Sequence, residues 1–392
     1  MNAWQVFLIF LRLGATSFGG PMAHLGFYRE EFVRRRQWLS EQHYGDLVAL
    51  CQFLPGAASS QVGMAIGLGR AGLPGALAAW LGFTLPSAVL MILLGVGLKT
   101  YAGWIPAGAV HGLKLVTVAV VAQAVWGMAR SFCTDALRLI LALAAAAALL
   151  GLPGQWAALG VLVAAGLVGV VGIQPAADTQ HAPLPARIRK RTALVLLLIG
   201  VALLVGLPVL AHITASPTLA MVDAFYRIGA LVFGGGHVVL PMLQAATVPP
   251  GWIGNDQFLA GYGLTQAMPG PLFTFSAFLG AAMRVGPGGW LGGWLALLAM
   301  FAPSGLLVCA ALPFWAQLRR HRPTRAALAG INAAVVGLLL AALIRPVTLD
   351  AVHGVADAGL AVLAWLALTR LRWAPWLVVA LGAVLGAVMS SI

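Results

Sequence analysis

The chain has 392 residues, of which 61% are hydrophobic and 8% charged, against about 25% charged in an ordinary soluble domain. That is too few charges to coat a water-soluble surface, and the polar linkers that join soluble domains are nearly absent, so the sequence is that of an integral membrane protein. The 23 Lys and Arg against 10 Asp and Glu, net +13, fit the enrichment of Lys and Arg in cytoplasmic loops. No aromatic residues interleave with the basic runs, and no nucleic-acid partner is expected. Cys51, Cys133 and Cys309 stand alone in apolar sequence, which argues against a disulfide framework or a zinc site. The first apolar run carries Arg12 and lacks a basic start and a small-residue cleavage site, so it does not read as a removable signal.

Crossing a hydrocarbon core of roughly 30 Å takes about 20 residues of helix. Thirteen apolar runs approach this length, at about 4–28, 44–69, 73–98, 105–129, 136–151, 155–172, 193–212, 217–247, 257–284, 287–313, 326–345, 348–369 and 373–391. Lipid offers no partner to a backbone polar group, so all should be helical. The fold class expected is therefore an all-α integral membrane protein of about 13 transmembrane helices.

The chain also repeats itself. Arg12-Leu13-Gly14-Ala15 with Phe18-Gly19-Gly20 recurs as Arg227-Ile228-Gly229-Ala230 with Phe233-Gly234-Gly235. Trp38-Leu39 matches Trp252-Ile253, Gln52-Phe53-Leu54-Pro55-Gly56 matches Gln266-Ala267-Met268-Pro269-Gly270, and Pro86-Ser87 matches Pro303-Ser304. His111-Gly112-Leu113-Lys114 then faces Ala329-Gly330-Ile331-Asn332, and the offset stays between 214 and 218 throughout. Ordered matches at nearly constant offset mark a duplicated unit of six spans, a pattern typical of transporters. The first repeat is assigned to 1–172, a basic linker and connecting helix to 173–216, and the second repeat to 217–392.

Run 193–212 belongs to neither copy, and one extra span makes the second copy enter from the opposite side: two homologous six-helix halves in inverted repeat. Leaving aside Arg12, Lys114 and Arg227 inside the runs, inversion puts 13 Lys and Arg on one face and 7 on the other, whereas a parallel arrangement gives 9 and 11. The richer face, with Arg187 to Arg191, Arg319 to Arg325 and the amino terminus, is read as cytoplasmic and the carboxyl terminus as periplasmic. The four Arg between Arg29 and Arg36 run against this assignment.

No Walker loop, no His-Glu-x-x-His and no nucleophile elbow is present. No catalytic residue, metal ligand or cofactor is assigned, and the chain is not expected to be an enzyme. What remains are polar and helix-breaking residues inside apolar runs. Arg12 and Arg227 hold the same position in each copy, where a charge costs at least a few kcal/mol and usually faces a cavity or a partner. Asp223, four residues before Arg227, offers a plain pairing explanation for that one. The breakers Phe18-Gly19-Gly20-Pro21, Pro55-Gly56, Phe233-Gly234-Gly235-Gly236 and Pro269-Gly270-Pro271 are expected to create half-helices with free N–H groups at mid-membrane, where transporters hold anions. A packing kink is the competing account; Gly288-Gly289 and Gly292-Gly293 read as close helix packing alone.

Ser59, Ser60 and Gln61 after the first Pro-Gly, and Thr274 and Ser276 after the second, can donate to a ligand or bond back to their own helix. Gln52 and Gln266 are expected to satisfy backbone groups released at the breaks. Lys114, opposite the neutral Asn332, is a third candidate cation. His24 and His237 flank the glycine breaks and can bond an anion or serve as packing residues. Cations and donors with almost no embedded carboxylate describe a site for an anion, best a fully deprotonated tetrahedral dianion of the sulfate or chromate kind.

Phe18-Gly19-Gly20-Pro21 with Ala23-His24, Val33 and Trp38, Leu54-Pro55-Gly56 leading to Ser59-Ser60-Gln61-Val62-Gly63, Phe233-Gly234-Gly235-Gly236-His237-Val238-Val239-Leu240-Pro241 and Pro269-Gly270-Pro271 together resemble the chromate ion transporter family, in its long two-domain form. The resemblance covers nearly the whole chain. It implies a bacterial inner-membrane protein that exports chromate, with sulfate as a look-alike ion and chromate resistance as the outcome. One departure is Pro55-Gly56-Ala57, where the family pattern has Pro-Gly-Pro. Expected partners are chromate, sulfate and the lipid bilayer, with a homodimer left open. An importer of sulfate or another oxyanion and an anion channel are the rival readings.

Overall fold

A computed structural model describes residues 1–100, 106–152, 157–174, 188–233, 236–318 and 321–389. Gly234 and Gly235 of the second glycine break, and Arg187, Arg319 and Arg320 of the basic loops, lie outside the described residues. The described residues are helical, with no strand among them.

The helices follow the apolar runs. From the first half come α1 (Ala3–Thr16), α2 (Gly20–Arg29), α3 (Glu41–Phe53), α4 (Ala58–Thr100), α5 (Ala107–Phe132), α6 (Ala136–Gly151) and α7 (Ala157–Gly172). The connecting helix is α8 (Lys190–Thr214). The second half gives α9 (Pro217–Leu231), α10 (Val239–Thr247), α11 (Asn255–Gln266), α12 (Phe275–Ala282), α13 (Gly289–Ala311), α14 (Trp315–Leu318), α15 (Arg322–Ala342), α16 (Val355–Thr369) and α17 (Pro375–Met389). Helix α4 kinks at Ala71 and Gly72, where two of the expected runs meet. Five described helices are long and apolar enough to cross a membrane, and several more are apolar but shorter. The shortfall from thirteen has two local causes: runs 4–28, 44–69, 217–247 and 257–284 are each split into shorter helices, and α6, α7, α16 and α17 have only 15 or 16 residues. The most apolar span, α8, has only 6% of its window buried within the protein, as suits a helix whose solvent is lipid.

The chain forms two compact units, and each draws on both halves of the sequence. Unit 1 comprises 1–96, 177–236 and 268–320; unit 2 comprises 97–176, 237–267 and 321–392. In unit 1, α1 lies so close to the second part of α4 that a Cβ on Gly14 would meet the Phe83 carbonyl oxygen at 2.5 Å, and α9 meets α13 in the same way at Gly229 and Met300. In unit 2, α5 packs against α16 and α17, while α15 packs against α6 and α7. The span after each repeat's centre is therefore surrounded by the closing spans of the other repeat. Small residues make these crossings: Gly112 lies against Gly382 and Gly386, and Gly330 against Ala165 and Gly169. Without a hydrophobic drive between helices in lipid, such close approach supplies the packing energy. Gly330→Leu should therefore leave little folded protein in the membrane; Gly127→Leu, with open space at its Cβ, should not, as immunoblots of membrane fractions would report.

The hairpin equivalents part company. Helices α2 and α3 belong to unit 1, whereas α10 and α11, their counterparts in the repeat, belong to unit 2.

Candidate functional site

Four helix ends converge in unit 1, and the sequence explains each. Helix α1 stops at Ser17, which is extended; Gly19 at φ +101 caps α2, which begins with Gly20 at φ +77 and has Pro21 in its first turn. Helix α3 stops at Leu54, held extended by the following Pro55, and Gly56 turns at φ +117. Helix α9 stops at Val232, also extended. Past α11 the chain turns through Gly270 at φ +91, and a short 3-10 turn of Leu272–Thr274 leads into α12. Only glycine adopts such φ values without strain.

The breaks are tied to one another across the repeats. Gly56 N–H donates to the Val232 carbonyl at 2.7 Å, and Gly270 N–H donates to the Ser17 carbonyl at 2.9 Å. Ser304 Oγ accepts from Ala57 N–H at 3.0 Å, and a Cβ on Gly270 would come within 2.7 Å of Ser87 Oγ. Each Pro-Gly turn thus docks on the residue that precedes the glycine break of the other copy, against the serine of the other copy's Pro-Ser pair. The amides of Gly56 and Gly270 are accordingly occupied and not free to hold an anion, unlike the sequence-based expectation for these two residues.

Around these ties lies a polar core in an otherwise apolar unit. His24, Ser17, Ser59, Ser60, Gln61, Thr84, Ser87, Thr274, Ser276 and Ser304 are all buried. His24 Nδ1 meets Ser59 Oγ at 3.5 Å, and its ring stands edge-on to Phe83 at 5.1 Å. Gln61 Nε2 donates to the Pro55 carbonyl at 2.8 Å and reaches the Ser304 carbonyl at 3.5 Å. Gln61 therefore does what was expected of Gln52, which is exposed: Gln52 precedes the break and turns away with α3, whereas Gln61 sits one turn inside α4 and folds back. Thr274 and Ser276 bond back to the carbonyls of Pro271 and Phe273 at 2.8 and 2.7 Å.

The other candidates are placed elsewhere or differently. Arg12 is on an exposed face of α1, with no ion pair among the described residues. Arg227 is paired with the buried Asp223. The repeat puts both arginines at one position, but only α9 carries a carboxylate one turn earlier. Lys114 is buried in unit 2, where it pairs with Asp256 at 2.7 Å. His237 is also in unit 2 and hydrogen-bonds the Tyr262 hydroxyl at 3.0 Å. The structure thus brings together Gly19, Gly20, His24, Pro55, Gly56, Ser59, Ser60, Gln61, Pro269, Gly270 and Thr274 within unit 1, whereas Lys114 and His237 belong to unit 2. Ser17, Thr84, Ser87, Val232 and Ser304 join the set. The Pro86-Ser87 and Pro303-Ser304 match in the self-comparison is the signal that marks two of them.

Polar, broken helices buried inside an apolar, duplicated helical protein define a membrane transport protein for a small polar solute. Residues 4–170 and 219–387 match the family described as chromate transporter, and the chain belongs to that family. It is 27% identical over 350 residues to a probable chromate transport protein of Synechococcus elongatus, covering 87% of this chain and 83% of that protein. It is 28% identical over 358 residues to a chromate transport protein of Pseudomonas aeruginosa, covering 86% and 80%. A chromate transport protein of Cupriavidus metallidurans is 25% identical over 87% of this chain and 81% of its own length. No solved structure matches the chain.

Proposed function

We propose that this chromate transporter works outward, as a secondary transporter that exports chromate across the bacterial inner membrane and so confers chromate resistance, with sulfate as the competing ion. In this account the chain crosses the membrane thirteen times, repeats 1–172 and 217–392 are inverted about the connecting segment 173–216, and the amino terminus is cytoplasmic. The anion binds at the helix breaks of unit 1. The observation that carries the proposal is the reciprocal pair of backbone bonds, Gly56 to Val232 and Gly270 to Ser17, which interlocks the breaks of both repeats around buried hydroxyls.

Arg12 supplies the attracting charge. An exposed guanidinium in the apolar stretch of α1 is tolerated only where water or a partner reaches it, and no carboxylate neutralises it among the described residues. Outward movement suits the energetics: an inside-negative potential of 100 mV expels a dianion with about 4.6 kcal/mol. Arg227, neutralised by Asp223, holds α9 together rather than drawing the anion.

The test is accumulation of radiolabelled chromate in inverted membrane vesicles, with sulfate as competitor. The unaltered protein should accumulate chromate, and Arg12→Gln should reduce the initial rate at least tenfold at equal protein level. Equal rates in the two would remove Arg12 from the account, and uptake confined to right-side-out vesicles would reverse the direction.

A further inference from the structure

Resting on that reading of the breaks, the geometry points to a single, one-sided site: chromate binds at the first repeat's break, on the buried hydroxyls of Ser17, Ser60 and Thr84, and not at the matching break of the second repeat. Buried hydroxyls in a native protein are nearly always hydrogen-bonded, and each exception calls for a reason. Here Ser17 Oγ, Ser60 Oγ and Thr84 Oγ1, together with the Tyr28 hydroxyl, are buried with no partner. Their residues are exposed by 0%, 2%, 2% and 0% respectively.

These residues are neighbours. The Ser17 carbonyl holds Gly270, Gly270 lies against Ser87 Oγ, and Ser87 Oγ donates to the Thr84 carbonyl at 3.1 Å. Phe83, beside Thr84, contacts both His24 at 5.1 Å and Tyr28 at 5.2 Å. His24 returns the circuit to Ser59 at 3.5 Å, adjacent to Ser60. A Cβ on Gly63, one turn along α4, would lie 3.2 Å from the Tyr28 hydroxyl. These contacts link the Gly270 turn, the second part of α4, α2 and the first part of α4 in succession, and the residues with unpartnered donors lie on or next to that path. Gln61 Oε1 is a buried acceptor that also lacks a partner.

The second repeat has lost this chemistry at the same positions. Val232 stands for Ser17, Phe275 for Gln61 and Phe301 for Thr84 at the repeat offsets of 215, 214 and 217. Thr274, which stands for Ser60, spends its hydroxyl on the Pro271 carbonyl. The second break is thus a docking element lined by rings, and Thr274 leaves the binding set. A tetrahedral oxyanion, with acceptors on every corner, matches a set of neutral donors.

Equilibrium dialysis of radiolabelled chromate against the purified full chain in detergent should give one ion per chain. Ser60→Ala and Thr84→Val should each weaken Kd by about tenfold, as expected for one hydrogen bond to a charged group. Ser60→Thr should retain affinity, and Thr274→Val should change Kd less than twofold. Variants are compared only where gel filtration gives the unaltered profile; the stoichiometry of the unaltered chain decides the question if they are not. Two ions per chain, or equal losses from Thr274→Val and Thr84→Val, would overturn the one-sided site. Chromate transport that persists with binding indifferent to Ser60 and Thr84 would overturn it while leaving chromate export standing. An unaltered chain that binds no chromate would sink both readings.

Discussion

Gly56→Ala and Gly270→Ala should each abolish chromate transport and lower stability by about 2–5 kcal/mol, the sum expected from a forced positive φ and an overpacked contact. At Gly270 the added methyl would lie 2.7 Å from Ser87 Oγ and 3.2 Å from the Phe83 carbonyl oxygen, with the backbone at φ +91. At Gly56 it would strike Ser304 Oγ and lie 2.9 Å from Gln61 Nε2, at φ +117. Either change breaks a tie between the repeats, so the two variants should look alike although they sit 214 residues apart. Thermal unfolding of the purified protein and transport per amount of protein would measure this. Gly26→Ala is the control, because a Cβ there meets nothing within 4 Å. A Gly56→Ala protein with unaltered melting and transport would mean that the Pro-Gly turn is not a joint.

Asp223→Ala should be nearly as damaging, for an electrostatic reason. The side chains of Asp223 and Arg227 are 9% and 27% exposed, so removing the carboxylate leaves a guanidinium largely out of water. Breaking such a pair from one side costs about 2–4 kcal/mol, below the fully buried limit because Arg227 keeps some solvent. Replacing both residues by Ala should cost less than Asp223→Ala alone, since the guanidinium is removed together with its carboxylate. A double-mutant cycle on melting temperature would show this, and additive losses would rule the coupling out.

Much of this protein is legible in its sequence because lipid imposes long apolar runs and because the duplication is scarcely eroded at its breakers. Helix α6 occupies the expected 136–151, and helices end or begin at the described residues of the breaker motifs. Interlocking is not legible. Self-comparison reveals that Gly56 and Gly270 correspond, but not that each bonds the other copy, since a backbone hydrogen bond leaves no residue-type signature. For the same reason the amides at these turns look free in the sequence and are occupied in the fold. Arg12 and Arg227 look equivalent, yet Arg227 is paired with Asp223 and Arg12 is exposed. Lys114 looks like a pathway cation because its partner, Asp256, is distant in sequence and only the fold brings the two to 2.7 Å. Conversely, Ser17 and Thr84 pass unnoticed because a serine or threonine in a membrane helix usually bonds back to its own backbone, and only burial without a partner distinguishes them.

The most direct test of an anion crossing at interlocked breaks is chromate flux in proteoliposomes under an imposed membrane potential. Flux should rise as the receiving side is made more positive, carry two charges per chromate, and vanish in Gly56→Ala. Flux indifferent to potential, or undiminished when that glycine is replaced, would place the path of the ion elsewhere in the protein.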